Sequence, residues 1–197
     1  MSLADEYQFL HPHIAFPDIH RSGGFDAVLG NPPWDKVEFK EQECFAVAEP
    51  GVAKLAGTHR KRAIAALAST NLQLHDQYLA AKRFNEGVRA LLTSTGVFPL
   101  CGKGRINTYA VFAEMMRNAV SSVGRAGMIV PTGIASDYTT KDFFADLVQK
   151  RSIKSLYDFE NRKNYSQSTG ATGLLCSRLL ALTDQPTEPS SCRSPMT

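Results

Sequence analysis

Ten residues, Phe25-Asp26-Ala27-Val28-Leu29-Gly30-Asn31-Pro32-Pro33-Trp34, constrain the fold more than any other stretch of the chain. Phe25 to Leu29 is mostly apolar and of strand length, which predicts a short buried strand. Gly30 frees the backbone for a sharp turn. Pro32 and Pro33 then fix two successive φ angles and remove two backbone donors, and Pro32 biases Asn31 toward an extended conformation. An amide side chain and undonated carbonyls are thus held stiffly beside an indole at a strand's C-terminal end, where open α/β sheets bind ligands. A Pro-rich turn whose tryptophan merely packs would use the same residues. The strand ahead of the loop and the glycine between them favour a functional loop.

Asn31-Pro32-Pro33-Trp34 resembles the catalytic loop of S-adenosylmethionine-dependent amino-methyltransferases, chiefly those that methylate adenine N6 in DNA. The resemblance implies catalytic roles for Asn31, Pro32, Pro33 and Trp34, and the residue types suit them. The lone pair of an adenine amine is delocalised into the ring, which makes it a poor nucleophile. The Asn31 side-chain oxygen and the Pro32 carbonyl can each accept one amine hydrogen, localising the lone pair and supporting the charge that grows as methyl arrives. The prolines limit reorganisation, and Trp34 offers a flat face for an extruded base.

The chain has 197 residues, 43% hydrophobic and 21% charged, with a net charge of +3. This is the composition of one globular domain with a real core. Its mild basicity permits a polyanionic partner without arguing for one. No apolar run approaches a membrane span, and a start containing Asp5, Glu6, His11 and His13 does not read as a secretory leader. Cys44, Cys101, Cys176 and Cys192 lack paired spacing, so free thiols in a reducing cytoplasm are expected, and no metal site.

Taken in order, His11 to Ile19 alternates enough to suggest a short edge strand limited by Pro12 and Pro17, with His11 and His13 as surface histidines. Asp35 to Phe45 reads as a charged helix, with Lys36 and Lys40 among glutamates on a solvated face, and Pro50-Gly51 as its break. Arg60 to Thr93 carries Ile64, Leu67, Leu74, Tyr78, Ala81, Val88 and Leu92 at alternating steps of three and four, with Asn71 and Asn85 interrupting the seam. This predicts a long helical insert, at about residues 50–95, between two strands. The basic quartet His59-Arg60-Lys61-Arg62 at a helix start opposes the macrodipole and invites an external anion. Gly102-Lys103-Gly104-Arg105 is a turn, from which Lys103 and Arg105 are candidate DNA-backbone contacts. Asn107 is an expected N-cap for a helix whose stripe is Ile106, Tyr109, Ala110, Ala113, Met116, Val120 and Val123, with Gly124 as its stop. Gly127 to Pro131 is a second strand. A helix opened by Thr139 or Thr140 turns Phe143, Phe144, Leu147 and Val148 to the sheet. Ile153 to Phe159 is a third strand. This order suits a mainly parallel sheet.

The stretches Gly23–Trp34, Ile106–Glu114, Gly127–Ile134 and Ser155–Arg162 are similar, in the same order, to adenine-specific methyltransferases of restriction-modification and phage-defence systems. The likeness extends from Tyr7 to Lys163. It implies a partial Rossmann-like methyltransferase sheet, S-adenosylmethionine as cofactor, double-stranded DNA as partner and a cytoplasmic setting. The family's aromatic-x-Gly-x-Gly cofactor turn is missing, which leaves Gly30 and Asn31 as the nearest cofactor-binding candidates. Residues 1–163 therefore read as the catalytic half of a larger enzyme, whose incomplete sheet would expose strand edges and apolar faces. Residues 164–197 replace the family's Phe-Pro turn and closing hairpin with an irregular tail. Within it Leu174–Leu182 is either a strand or a short helix, and disorder is expected from about residue 184. Relatives with Asn-Pro-Pro loops also methylate RNA bases or protein glutamine, and a DNA-binding remnant without catalysis would keep the same fold.

Overall fold

A computed structural model of the chain describes residues 10–161 and 175–182. The expected disorder from about residue 184 falls outside the described residues. The fold is mixed α/β and divides into two compact units, one comprising Val37–Val97 and the other built from residues 10–36 and those after Val97.

The Val37–Val97 unit is helical. It contains α3 (Glu41–Phe45), α4 (Pro50–Lys54), α5 (Gly57–Thr70) and α6 (Leu72–Ser94), following α1 and α2 of the other unit. Its core joins Phe45, Val52 and Ala53 to Ile64, Leu67, Leu74 and Tyr78, with the Phe45 ring stacked on Tyr78 at 5.3 Å. The first four members of the predicted seam are therefore buried. Ala81 is exposed, and the single long helix is two. Asn71 leaves helical geometry, and its side chain accepts a hydrogen bond from Leu74 N at 3.1 Å, capping α6. A polar residue read as a seam interruption is in fact a helix start. Pro50 likewise begins a helix at N1 where a break was expected. The helix predicted from Asp35 begins only at Glu41.

In the other unit, α1 (Pro12–Ala15) and α2 (Pro17–Arg21) replace the expected edge strand. Each opens with proline at its first positions, where the missing N–H costs nothing. Next come β1 (Phe25–Gly30), α7 (Thr108–Ala119), β2 (Val120–Pro131), α8 (Gly133–Ser136), a 3-10 turn (Tyr138–Thr140), α9 (Lys141–Gln149), β3 (Ile153–Asn161) and β4 (Leu175–Leu182). The sheet order is β1-β2-β4-β3. β1 and β2 are parallel, and β4 runs antiparallel to both β2 and β3. Three strands thus share one direction, although two of the three pairings are antiparallel. Leu175–Leu182, placed in an irregular tail on sequence grounds, is a sheet strand.

Gly124 corrects another expectation. It lies inside β2 and does not end a helix, because α7 stops at Ala119. Val123, assigned to the helix stripe, is 72% exposed. A Cβ on Gly124 would lie 2.5 Å from the Phe25 carbonyl oxygen, at the irregularity where the β1–β2 register shifts. The glycine is required for close approach of two backbones.

One sheet face is packed: Ala126, Met128, Val130 and Leu182 are buried, as are Tyr109, Ala110, Ala113 and Met116 of α7, Ile134 of α8, and Phe143 and Leu147 of α9. Val148, expected to face the sheet, is exposed. Leu29, Ile129, Tyr157 and Phe159 lie on the other face and are 43–82% exposed, so β1 is not the strand buried on both sides that its composition predicts.

Arg117, buried at the end of α7, donates to Asp146 of α9 at 2.6 Å, and Lys150 adds a second contact at 3.0 Å. Burial pushes the Asp146 carboxyl up, but hydrogen bonds from Lys150 and Arg117, and their charges, outweigh it and hold it below its ordinary value. A lowered carboxylate pKa contributes stability that is present above the unfolded value and lost as pH falls through the folded one. Asp146→Asn is expected to reduce unfolding free energy at pH 7 by about 2–3 kcal/mol, between the worth of exposed and buried pairs. Urea titrations should show the gap from wild type narrowing as the solution is acidified through the carboxylate range.

Candidate functional site

β1 delivers the loop to the C-terminal edge of the parallel pair. Its last residue, Gly30, stands in register with Met128, three residues before β2 ends at Pro131. Gly30 does not have positive φ. A Cβ there would meet the Met116 side chain at 3.3 Å, so the residue provides room for α7 and not, as expected, a sharp turn. Beyond it Asn31 is exposed, Pro32 buried, Pro33 exposed and Trp34 half-buried. Among the described residues no hydrogen bond reaches the Asn31 side chain, which leaves its carbonyl and amide open to a ligand.

The loop's far end is tied to the start of α7. Thr108 Oγ1 lies 2.7 Å from the Pro33 carbonyl oxygen and 3.0 Å from that of Asp35, and it accepts from Asp35 N at 3.0 Å. The Thr108 amide donates to the Asp35 carbonyl at 2.8 Å. A hydroxyl has one proton to give. The Pro33 oxygen is the nearer, and unlike the Asp35 oxygen it has no Thr108 amide bonded to it, so that proton is assigned to Pro33. The loop in turn satisfies one of the helix's orphan N–H groups. Asn107 occupies the N-cap position, as expected, but its side chain makes no capping bond. Lys36 and Asn107 form an isolated antiparallel bridge, which draws out the residues that the sequence assigned to a helix. The indole Nε1 of Trp34 is buried without a hydrogen-bond partner.

One residue along, the Tyr109 hydroxyl lies 3.4 Å from Asp137 Oδ2. Burial and then the Asp137 charge push the Tyr109 hydroxyl well above its ordinary value. Gly133, just after β2, has its Cβ space occupied by the Asp137 carboxylate and the Tyr109 hydroxyl, and its carbonyl accepts from Thr140 Oγ1 at 2.7 Å. Thr140 stands at the N-cap of α9, but its hydroxyl serves this turn and makes no capping bond. Thr108 and Asp137 were not singled out on sequence grounds, and Tyr109 was read only as part of the helix's apolar stripe. The sole signal was a pair of locally bonding residues, Asn107 and Thr108, at a helix start, and nothing in the sequence shows a partner some seventy residues away.

Lys103 pairs with Asp142 at 3.4 Å on the surface, and Arg105 is exposed. The turn they occupy is anchored by Glu114, buried on α7, whose carboxylate accepts from Leu100 N at 3.2 Å and Cys101 N at 2.8 Å. Those two amides are therefore already occupied by a carboxylate belonging to the chain. In the helical unit, Arg60 of the basic quartet donates to the Ala53 carbonyl at 3.0 Å, a structural use of a residue proposed for external anions. No group of three metal-ligating side chains occurs among the described residues. A cavity of about 420 Å³ is lined by Pro99, Leu100, Glu114, Arg117, Asp146 and Lys150. It sits toward the end of α7 remote from Thr108, away from the Asn31 loop.

Because Asn31 is exposed and unbonded, Asn31→Ala should change unfolding free energy by less than about 0.5 kcal/mol. Equilibrium denaturation of the two proteins checks this, and a larger loss would make Asn31 a structural residue. Set against known proteins, the chain matches no protein-family model and no curated protein.

Proposed function

We propose that the chain is the catalytic half of a larger cytoplasmic S-adenosylmethionine-dependent enzyme that methylates the N6 amine of an extruded adenine in double-stranded DNA. One observation carries this reading: Asn31 presents a free amide on a loop whose surrounding backbone is otherwise fixed, by Pro32, Pro33 and the Thr108 bonds. Such a group can accept from an NH2 without first giving up a bond within the chain. One further feature supports it. The exposed face bearing Leu29 and Ile129 is what a sheet short of its other layer would present.

S-adenosylmethionine supplies the methyl group when bound. The glycine following β2 is crowded by Asp137 and Tyr109, and Gly30 by Met116, so neither offers the open backbone that a cofactor turn needs. On this reading the cofactor is held by another part of the larger enzyme, and the Asn31 loop acts on the amine. Asn31 Oδ1 and the Pro32 carbonyl accept the two N6 hydrogens and raise the density of the nitrogen lone pair. They favour the developing ammonium charge over the neutral amine, which is where the rate gain arises. Trp34 stacks on the base and holds the amine in line.

The test is transfer of labelled methyl to DNA, RNA and protein by the complete enzyme. Incorporation into DNA adenine is expected, with Asn31→Ala slowing it by about 10²–10³-fold. Incorporation into RNA or protein alone would replace the substrate, and unchanged turnover in the variant would remove the mechanism.

A further inference from the structure

We propose that Thr108 is the positioning residue for Trp34, setting the indole's angle through the backbone on either side of it. The inference rests on the reading of Trp34 as a base-stacking surface. Its structural half stands independently.

Trp34 is half-buried, and its indole nitrogen makes no hydrogen bond. Nothing polar therefore fixes the ring directly. A single side chain touches both flanking peptide units: Thr108 Oγ1 donates to Pro33 O and accepts from Asp35 N. The Thr108 amide closes the set on the Asp35 carbonyl. Residues 33 and 35 are thus pinned to the first turn of α7, and α7 is rigid, with Ala110, Ala113 and Met116 buried. The φ of Pro33 is locked by its own ring. With both ends fixed, the Cα–Cβ direction of Trp34 has little freedom left. A threonine suits this position because it needs a hydroxyl that donates and accepts at once, and its β-branch restricts χ1.

Trp34 is the single tryptophan in the chain, so intrinsic fluorescence reports on it alone. Thr108→Val keeps the shape and removes the hydroxyl, and Thr108→Ser keeps the hydroxyl. In the full 197-residue chain, T108V is expected to raise acrylamide quenching of Trp34 roughly twofold and shift its emission to the red as the loop loosens, while T108S behaves as wild type. In the unaltered protein the Asp35 amide should exchange its hydrogen about tenfold more slowly than an open amide, in keeping with one hydrogen bond. This second measurement decides the matter even if T108V does not fold. Titration with oligodeoxyadenylate should quench Trp34, with about tenfold weaker affinity in T108V, the worth of one stacked base. Wild-type emission in T108V, or an Asp35 amide exchanging freely, overturns the positioning role. Absence of quenching by oligodeoxyadenylate in wild type, with the acrylamide and exchange results as expected, overturns the base-stacking reading and leaves Thr108 as the residue that orients Trp34.

Discussion

The parallel pairing of β1 with β2 holds the candidate site in the fold, because β1 is an edge strand with one neighbour. Two glycines permit that pairing. A side chain at Gly24 would run into the backbone of Ala119 to Ser121, and one at Gly124 into the Phe25 and Asp26 carbonyls. With these approaches open, the register recovers after its shift and sets Val28 opposite Ala126 and Gly30 opposite Met128. Side chains alternate between faces, so a slip by one residue would have turned Leu29 inward and Val28 out. The position of Asn31 follows from the same register: it is the first residue beyond the paired strand, released just as the neighbouring strand continues.

α7 is the second fixed element, and it works through polar contacts along its length. Thr108 at its start holds the loop, Glu114 in its middle holds the Leu100 and Cys101 amides, and Arg117 near its end holds Asp146. Glu114 and Arg117 are buried, and each has its partner, which is the condition under which buried charge is tolerated. The Glu114 contact also settles the character of Cys101. Burial, and then the Glu114 charge, push that thiol far above its usual value. Raised in this way and only 2% exposed, it is held as the thiol, the less nucleophilic form.

Elements whose evidence lies within a few residues were legible in the sequence. The strands expected at Phe25–Leu29 and Ile153–Phe159 and the start of the amphipathic helix after Asn107 appear where apolar periodicity places them, although that helix ends at Ala119 and not beyond Val123. Proline was misread three times, at Pro12, Pro17 and Pro50, because the same fixed φ that limits a strand also starts a helix. Asn71 and Gly124 failed for another reason. Each was given a role by its neighbours in sequence, whereas its actual role is set by a helix junction in one case and by a strand about a hundred residues away in the other. At the site, the loop's stiffness could be read from its two prolines. Its anchorage could not, since a threonine at a helix start carries no mark of the carbonyl it will find.

The apolar pattern of β1 makes one more demand. Parallel strands covered on both sides read as near-continuous hydrophobic runs, and Phe25 to Leu29 comes close to one, with Asp26 as its single polar residue. Yet Leu29 is 82% exposed, and Ile129, Tyr157 and Phe159 of the same face are 43–56% exposed. Charge or bulges commonly blunt exposed sheets and edges, but these four are apolar or aromatic. Exposed apolar surface on adjacent strands, as at Leu29 and Ile129, is a candidate for interaction. The strand is therefore written for a layer that residues 10–161 and 175–182 do not provide. The proposed function asks for such a layer for a separate reason, since it needs a cofactor site beside the loop that follows β1. One further layer would answer both the apolar face that the described residues leave uncovered and the proposed amine clamp's need for a methyl donor, and both lie on or beside β1.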